Sequence, residues 1–218
     1  ESAGGLSVMD LMASPLARGL FQKAIIQSGG GLSAMADARG AMALGAGDAW
    51  AAGIGETANI TAADLRRVPV EQILKARFIA FPSVDGTVLD RNPAEAFIQG
   101  TQARVPLLIG ANSWEASLTI LDDGLARMLL GREYDGLLQS YRALGLADAT
   151  ARDRLRTDLF FVQPARYLAR LHAKSNPTWL YHFDWVPASM RAHQPGAAHG
   201  GELAYLFATP ASVFTTWD

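Results

Sequence analysis

Cysteine is absent from the 218-residue sequence, and neither sign of charge is in clear excess. Without thiols there can be no disulfide, no zinc site built on thiolates and no cysteine nucleophile, although the redox compartment stays open. The 19 basic and 21 acidic residues give a formal net charge of −2, and no cluster of Lys and Arg stands out. A nucleic-acid or anionic-membrane partner is therefore not expected.

Long apolar runs are also missing, because no stretch reaches the roughly 18 residues that a membrane span needs. The sequence does not begin with methionine either. We expect the natural start to be missing together with any targeting signal, so the localisation stays open among secreted, periplasmic and cytoplasmic. Half of the residues are hydrophobic, which is enough for the core of a globular protein.

Three short β-favouring runs lie far apart in the sequence, at residues 23–27, 105–109 and 178–185. The residues between them follow helical patterns. Strands that alternate with helices indicate an α/β fold with a mostly parallel sheet. Three strands are too few for so many helices, so we expect residues 1–218 to be one partial domain whose N-terminal strands are missing.

Start and stop signals place several helices around these strands. The clearest start is Asn92 followed by Pro93, and Gly100 marks the end of that helix. The other predicted helices outside the longest helical stretch cover residues 6–12, 33–52, 61–67, 70–76 and 202–207.

The longest helical stretch separates the second and third predicted strands. We expect a helical insertion over residues 122–174, with breaks near Gly131, Gly145 and Pro164, because glycine and proline both interrupt helices. No internal repeat, low-complexity tract or linker divides the chain.

The sequence opens with Glu1-Ser2-Ala3-Gly4-Gly5, which matches the pattern GxSxG from its second position onward. In α/β-hydrolases this pattern forms a sharp strand-to-helix turn that exposes a nucleophilic serine. Small neighbours let the backbone bend tightly there. Taken alone, a serine at a glycine-rich helix start is more often a helix N-cap than a nucleophile.

Two later residues can complete the chemistry that a serine nucleophile needs. A serine hydroxyl is a weak nucleophile until a histidine removes its proton, and the histidine works best when a carboxylate holds its other nitrogen. Ser2, Glu115 and His199 supply these groups, and each is expected just after a strand. The order serine, acid, histidine is that of the α/β-hydrolases and differs from the orders in chymotrypsin and subtilisin.

Each of these assignments has a plainer alternative. Glu115 is compatible with a solvated carboxylate in a loop after a strand. Among the histidines, His172 is expected to be a packing or surface residue of a helix, and His182 to be structural within a strand. His193 shares the loop of His199, and we favour His199 as the base because small residues flank it. Without cysteine, these histidine spacings predict no metal site.

Longer stretches of the sequence resemble the C-terminal part of a type-B carboxylesterase, the family that includes the cholinesterases and the bacterial para-nitrobenzyl esterases. The opening Glu1-Ser2-Ala3-Gly4-Gly5 resembles the GESAGG elbow of that family. Three later stretches resemble the strand after the elbow, the segment with the acid and the segment with the base. They are Phe21-Gln22-Lys23-Ala24-Ile25-Ile26-Gln27-Ser28-Gly29, Pro106-Leu107-Leu108-Ile109-Gly110-Ala111-Asn112-Ser113-Trp114-Glu115 and Ala198-His199-Gly200-Gly201-Glu202-Leu203. The similarity runs over nearly the whole chain and implies an α/β-hydrolase fold.

The resemblance implies roles for five residues. Ser2 is the nucleophile, Glu115 the acid and His199 the base. The backbone N–H of Ala3 is one donor of the oxyanion hole, and Ser28 is a buried serine beside the acid. The other oxyanion donors of this family come from a glycine-rich loop upstream of the elbow, which is not in this sequence.

Trp114 departs from the family pattern, in which many members carry Asp before the glutamate, so the local hydrogen bonding is open. Trp114 also belongs to a set of aromatic residues that could line a substrate pocket, although large aromatics are core residues more often. The set consists of Phe81, Trp114, Phe160, Phe161 and Trp185.

The predicted function is hydrolysis of small-molecule carboxylic esters by a Ser-His-Glu triad through an acyl-enzyme intermediate, with no cofactor or metal. The alternative is a catalytically inactive fragment or a binding domain like those of the cholinesterase-like adhesion proteins. The strand before the elbow and most of the oxyanion hole are expected in an upstream N-terminal half. We therefore predict that this segment alone is inactive and poorly folded.

Overall fold

The computed structural model describes residues 1–29, 47, 50–53, 61–75 and 82–209. The helix predicted over residues 33–52 lies outside these ranges except at 47 and 50–52, which are helical. Phe81, one of the aromatic candidates, lies outside them as well. None of the helices in the described ranges combines the length and the hydropathy of a membrane span.

A parallel sheet of three strands is formed by the described residues. The strands are β1 (Ala24–Gln27), β2 (Leu107–Asn112) and β3 (Thr178–Phe183), in the order β1-β2-β3. They pair in register from the first residue of each, so their carboxyl ends lie at the same edge of the sheet. The three predicted strands and the parallel sheet of an α/β fold are confirmed.

The second strand is longer than predicted. The prediction ended it at residue 109, but Gly110-Ala111-Asn112 continue β2 and pair with β3. The glycine allows a close approach of the neighbouring strand, because a Cβ at Gly110 would lie 2.4 Å from the Tyr181 ring. A residue type that usually interrupts strands is therefore required within this one.

The helix signals at Thr61, Asn92 and Gly100 are confirmed. Thr61 caps its helix through a capping box with Asp64, and the side chain of Asn92 accepts a hydrogen bond from the Ala94 N–H at 2.8 Å. Gly100 ends the latter helix in the left-handed conformation, at φ 69°. The helices outside the insertion are α1 (Ala3–Ala13), α2 (Ala62–Leu65), α3 (Val70–Lys75), α4 (Pro93–Gln99) and α9 (Leu203–Leu206).

The insertion between β2 and β3 contains four α-helices. Gly131 and Gly145 both have positive φ, at 53° and 81°, and they separate these helices as predicted. The four helices are α5 (Asp123–Leu130), α6 (Tyr134–Ala143), α7 (Asp148–Thr157) and α8 (Gln163–His172).

The break predicted near Pro164 is wrong. A π-helical turn, Asp158–Val162, joins α7 to α8 without an interruption, and Pro164 lies in the first turn of α8. A π-helical turn already shifts the backbone hydrogen bonds out of the α pattern. The proline, which has no N–H, therefore lies where the regular α-helical hydrogen bonds are already absent, and the helix continues.

The main core lies on one face of the sheet. Ile26 of β1 and Ile109 of β2 point to that face and are almost completely buried. They pack against Met9 and Met12 of α1 and Leu168 of α8. These contacts fix α1, and with it the N-terminal turn, against the end of β1. A second cluster joins the insertion helices and includes Tyr134, Leu138, Leu155, Phe160 and Phe161.

Candidate active site

Ser2 occupies the strained turn that the sequence predicts. Its backbone has φ 54° and ψ −125°, a conformation that costs energy for a residue with a Cβ. The Ser2 N–H donates to the Gln27 carbonyl at 2.9 Å, which fixes the turn to the end of β1. The close packing depends on small residues, since a Cβ at Gly5 would lie 2.9 Å from that carbonyl oxygen and from the Cα of Gly29.

Glu115 lies just beyond the end of β2, and none of its surface is exposed. Its Oε1 accepts hydrogen bonds from the Ser28 hydroxyl at 2.5 Å and from the Asn112 N–H at 2.6 Å. Its Oε2 lies 2.5 Å from Nδ1 of His199. A buried carboxylate is costly unless it is well paired, and these partners meet that requirement.

His199 lies between Glu115 and Ser2. Its Nδ1 contacts the Glu115 carboxylate, and its Nε2 lies 2.8 Å from Oγ of Ser2. A carboxylate only accepts hydrogen bonds, so Nδ1 carries the proton and Nε2 is free to accept the Ser2 hydroxyl proton. The ring of Phe161 packs beside the imidazole, with its centroid 5.3 Å away. The structure thus brings together the three side chains expected to form the triad.

Three carboxylates surround the imidazole. Burial alone would lower the pKa of His199, but the hydrogen bond and charge of Glu115, with the charges of Glu1 and Glu202, outweigh it and raise the pKa. Oε1 of Glu1 lies 3.2 Å from Nε2. Burial raises the pKa of Glu1, against the opposing effect of His199. These carboxylates therefore stabilise the protonated imidazole more than water would.

Ser28 lies beside Glu115, and Ala3 lies at the start of the helix that follows Ser2. Ala3 is the first residue of α1, so its N–H belongs to the helix start, where backbone donors lack a partner within the helix. Ser28 follows β1 directly, is buried and donates to Glu115. Its φ of 46° lies in the left-handed region, so the structure holds the hydroxyl in place at some cost in strain.

Glu202 is a buried residue of the site to which no role was assigned from the sequence. It is 5 % exposed. Its carboxylate accepts hydrogen bonds from the side chains of Asn112 at 2.5 Å and Gln27 at 3.2 Å. Burial and the nearby charge of Glu202 also raise the pKa of Tyr181. The available signal was a carboxylate in an apolar, glycine-rich stretch three residues after the candidate base.

The other histidines lie elsewhere. His172 is fully buried; its Nδ1 contacts the Gln102 side chain at 2.9 Å, and its Nε2 contacts the Val105 carbonyl at 2.8 Å. The expectation of a packing residue is confirmed. His182 on β3 and His193 in the loop before His199 are both exposed.

The aromatic candidates have different surroundings. Phe161 contacts the His199 ring, whereas the indole N–H of Trp114 donates to Asp153 at 2.9 Å. Trp185 is 43 % exposed, and its ring lies 5.2 Å from the Arg191 guanidinium carbon. Among the aromatic candidates that the structure describes, Phe161 is the one placed against the imidazole, and the lining of a substrate pocket stays a prediction.

Comparison with known proteins matches nearly the whole chain to one protein family. The profile described as "Carboxylesterase family" matches residues 1–139 and 141–216. The para-nitrobenzyl esterase of Bacillus subtilis is 31% identical over 225 residues, which are 95% of this chain and 45% of that protein. The fumonisin B1 esterase of Sphingopyxis macrogoltabida is 32% identical over 232 residues, which are 98% of this chain and 42% of that protein.

Solved structures agree with these matches. A thermophilic PNB esterase superposes with a TM-score of 0.74 at 29% identity, over 97% of this chain and 47% of that one. Another PNB esterase gives a TM-score of 0.72 at 28% identity, over 98% of this chain and 48% of that one. These likenesses confirm the α/β-hydrolase fold. The chain spans less than half the length of the relatives that it matches.

Proposed function

Because this chain belongs to the carboxylesterase family, we propose that it hydrolyses carboxylic esters through an acyl-enzyme formed on Ser2. The observation that carries this proposal is the continuous line of contacts from Oγ of Ser2 through the His199 ring to Glu115, at 2.8 and 2.5 Å. A strained serine, a correctly oriented imidazole and a buried carboxylate together form the apparatus of nucleophilic acyl transfer.

In the first half of the reaction, Oγ of Ser2 attacks the ester carbonyl carbon while Nε2 of His199 takes the hydroxyl proton. The carbonyl π electrons move to the oxygen, and Glu115 stabilises the imidazolium that forms at 2.5 Å from its Oε2. The carbonyl then re-forms, the bond to the alcohol oxygen breaks, and the alcohol leaves with the proton from Nε2. The acyl group stays on Ser2.

In the second half, water attacks the acyl carbon and gives a proton to Nε2 of His199. The tetrahedral intermediate collapses, the bond from carbon to Oγ breaks, and Ser2 recovers its proton from the imidazolium. The carboxylic acid is released. The same histidine acts as base and then as acid in each half, so no cofactor takes part.

The negative oxygen of each intermediate needs hydrogen-bond donors. The N–H of Ala3 is suited to this role because it lies at the start of α1, next to Ser2, where no helical carbonyl accepts from it. The other donors, and the strand before the elbow, belong to the upstream N-terminal half that the proposal requires. Since the chain spans 45% of the Bacillus subtilis relative, the 218-residue segment alone is expected to be inactive.

The test uses the complete protein, with the upstream half present in the chain or co-expressed. A fluorophosphonate probe should modify Ser2, and the Ser2→Ala and Glu115→Gln variants should each lose about 10³-fold or more in kcat. Ser140→Ala is a matched control, because the Ser140 hydroxyl is exposed on α6 and bonds only to the Gly136 carbonyl in the described contacts.

Full activity in Ser2→Ala, or labelling at another residue, would contradict the proposed mechanism. A folded complete protein that neither reacts with the probe nor turns over esters would favour the alternative of a binding domain. The segment should be measured alone in parallel: cooperative thermal unfolding together with ester turnover would contradict the requirement for an upstream half.

A further inference from the structure

The loop that carries Glu115 also holds the backbone that carries His199. We call residues 113–117 the acid loop and residues 196–199 the histidine segment. The Trp114 N–H donates to the Ala197 carbonyl at 2.9 Å, and Trp114 and Ala198 form a parallel bridge. The side chain of Asn112, just before the acid loop, donates to the Ala198 carbonyl at 2.8 Å.

Two serine hydroxyls of the acid loop hold N–H groups of the histidine segment. Oγ of Ser113 accepts from the Ala197 N–H at 2.8 Å, and Oγ of Ser117 accepts from the His199 N–H, also at 2.8 Å. Gly196 allows the two loops to approach, because a Cβ there would lie 2.6 Å from Oγ of Ser113. The contact between the loops is therefore specific, and one of its bonds ends on the backbone of His199 itself.

His199 has to satisfy two demanding contacts at once. Its ring spans the distance between Glu115 and Ser2, with contacts of 2.5 and 2.8 Å at its two nitrogens. A displacement of about 1 Å is enough to reduce the rate of such an arrangement by large factors. The position of the ring depends on the position of its backbone, which the Ser117 hydroxyl holds directly.

We propose that Ser117, together with Ser113, is a positioning residue for the His199 base, and that the two hydroxyls set the histidine segment against the acid loop. This inference rests on the proposed function. Neither serine touches the nucleophile or the reacting atoms, so both act through the backbone of the histidine segment.

The acid loop is itself anchored on α7 of the insertion. The indole N–H of Trp114 donates to Asp153 at 2.9 Å, and the Ala116 N–H donates to Oγ1 of Thr157 at 3.1 Å. Asp153 and Thr157 are one helical turn apart and present both acceptors on the same side of α7. Trp114, where this sequence departs from the family pattern, thus supports the loop that positions the base.

The kinetic test compares Ser117→Ala, Ser113→Ala and the double variant in the complete protein. Each single variant should lower kcat about 3- to 10-fold with little change in KM. The reason is that each variant removes one hydrogen bond that holds the histidine segment but no contact with the substrate. Ser117→Thr keeps the hydroxyl and should restore most of kcat. Ser140→Ala is the matched control, and titration with a fluorophosphonate corrects every rate for the fraction of active sites.

The pH profile gives a readout that a loss of stability does not move. Among the described residues, Glu115, Glu1 and Glu202 are the charged groups that face His199, and its hydrogen bond to Glu115 contributes to its raised pKa. If Ser117→Ala weakens that bond, the pKa of the base falls and the acid limb of kcat/KM moves to lower pH. An unchanged profile with kcat values equal to that of Ser140→Ala would overturn the inference.

A spectroscopic measurement separates this inference from the proposed function. The proton shared by Nδ1 of His199 and Glu115 should give a strongly downfield proton resonance in the complete protein, whether or not esters turn over. Loss or an upfield shift of that resonance in Ser117→Ala, but not in Ser140→Ala, supports the positioning role. The same resonance in both variants contradicts it, whereas absence of probe labelling at Ser2 contradicts the proposed function alone.

Discussion

The Glu1 carboxylate lies 3.2 Å from Nε2 of His199, the ring nitrogen that Glu115 does not contact. Both nitrogens of the proposed base therefore have a carboxylate beside them. This arrangement stabilises the imidazolium that forms when Ser2 loses its proton. It also makes the resting histidine easier to protonate, which removes the free base at acidic pH.

Replacing Glu1 with glutamine should shift the acid limb of the pH profile. Glu1 is one of the charges that raise the pKa of His199, so its removal should lower that pKa. The base is active when neutral, and a lower pKa keeps it neutral to lower pH. The acid limb of kcat/KM in Glu1→Gln should therefore move toward acid, which a pH–rate profile measures directly.

The matched control for Glu1 is Glu133→Gln, because Glu133 is an exposed carboxylate that pairs with Arg132 on the surface. It should leave the profile unchanged. A shift of the Glu1→Gln profile toward alkaline pH, or none, would show that Glu1 does not act on His199 in solution.

Replacing Ser28 should separate its hydrogen bond from its backbone conformation. Ser28→Ala removes the hydroxyl that donates to Glu115 at 2.5 Å but keeps a Cβ at φ 46°. Ser28→Gly removes the same bond and relieves the strain. Both variants should lose roughly 10- to 100-fold in kcat, since a hydrogen bond to a charged group contributes about 1.5–3 kcal/mol.

The two Ser28 variants should differ in stability. Ser28→Gly should be about 1 kcal/mol more stable than Ser28→Ala, because glycine adopts the left-handed region without a Cβ clash. Chemical denaturation measures this difference, and burst kinetics measure the activity. Equal activity of Ser28→Gly and the parent protein would exclude a role for the hydroxyl.

The sequence predicted those parts of the fold that depend only on a few neighbouring residues, such as the helix caps. Thr61 and Asn92 cap helices as their sequences indicate, because capping needs only the next few residues. Gly110 and Pro164 were misread for the opposite reason. The close approach of Tyr181 on the neighbouring strand requires a glycine within β2, and the π-helical turn before α8 allows the helix to continue past Pro164.

The same distinction applies to the site. Ser2, Glu115 and His199 could be named because each lies in a recognisable stretch and the three follow a known order. The contacts of Ser117 and Glu202 could not be predicted. The Ser117 hydroxyl, for example, accepts from the His199 N–H, which lies 82 positions later in the chain, and such a contact leaves no local pattern in the sequence. Side chains that position others are found only when the loops are seen together.

Two adjacent glycines of the elbow should respond differently to alanine. A Cβ at Gly5 would lie 2.9 Å from the Gln27 carbonyl oxygen, whereas a Cβ at Gly4 meets nothing within 4 Å among the described residues. Gly5→Ala should therefore cost about 1–3 kcal/mol and lower kcat by displacing the turn at Ser2. Gly4→Ala lies within α1 and should be neutral or stabilising by up to about 1 kcal/mol.

Thermal and chemical denaturation of both glycine variants in the complete protein, with kcat normalised to titrated sites, checks this pair. Equal tolerance of alanine at both positions would mean that the approach of α1 to the end of β1 is looser than the structure indicates.

His172 should make stability depend on pH. Its Nε2–H donates to the Val105 carbonyl in either protonation state, but its Nδ1 accepts from the Gln102 side chain only while the ring is neutral. Burial lowers the pKa of His172, against the smaller opposing effect of the Val105 bond. The unfolded chain therefore takes up this proton at a higher pH than the folded one, and the free energy of unfolding falls as the pH drops below about 6.5.

The His172→Gln variant tests this dependence because glutamine does not titrate. It should be less stable than the parent protein at about pH 8, but it should lose less stability between about pH 8 and pH 5, as measured by urea denaturation. His199, whose pKa is raised, contributes in the opposite direction, but it is present in both proteins and cancels in the comparison. His193→Gln is the control, since His193 is exposed and should change neither quantity. Parallel losses in His172→Gln and the parent protein would show that the buried ring does not resist protonation.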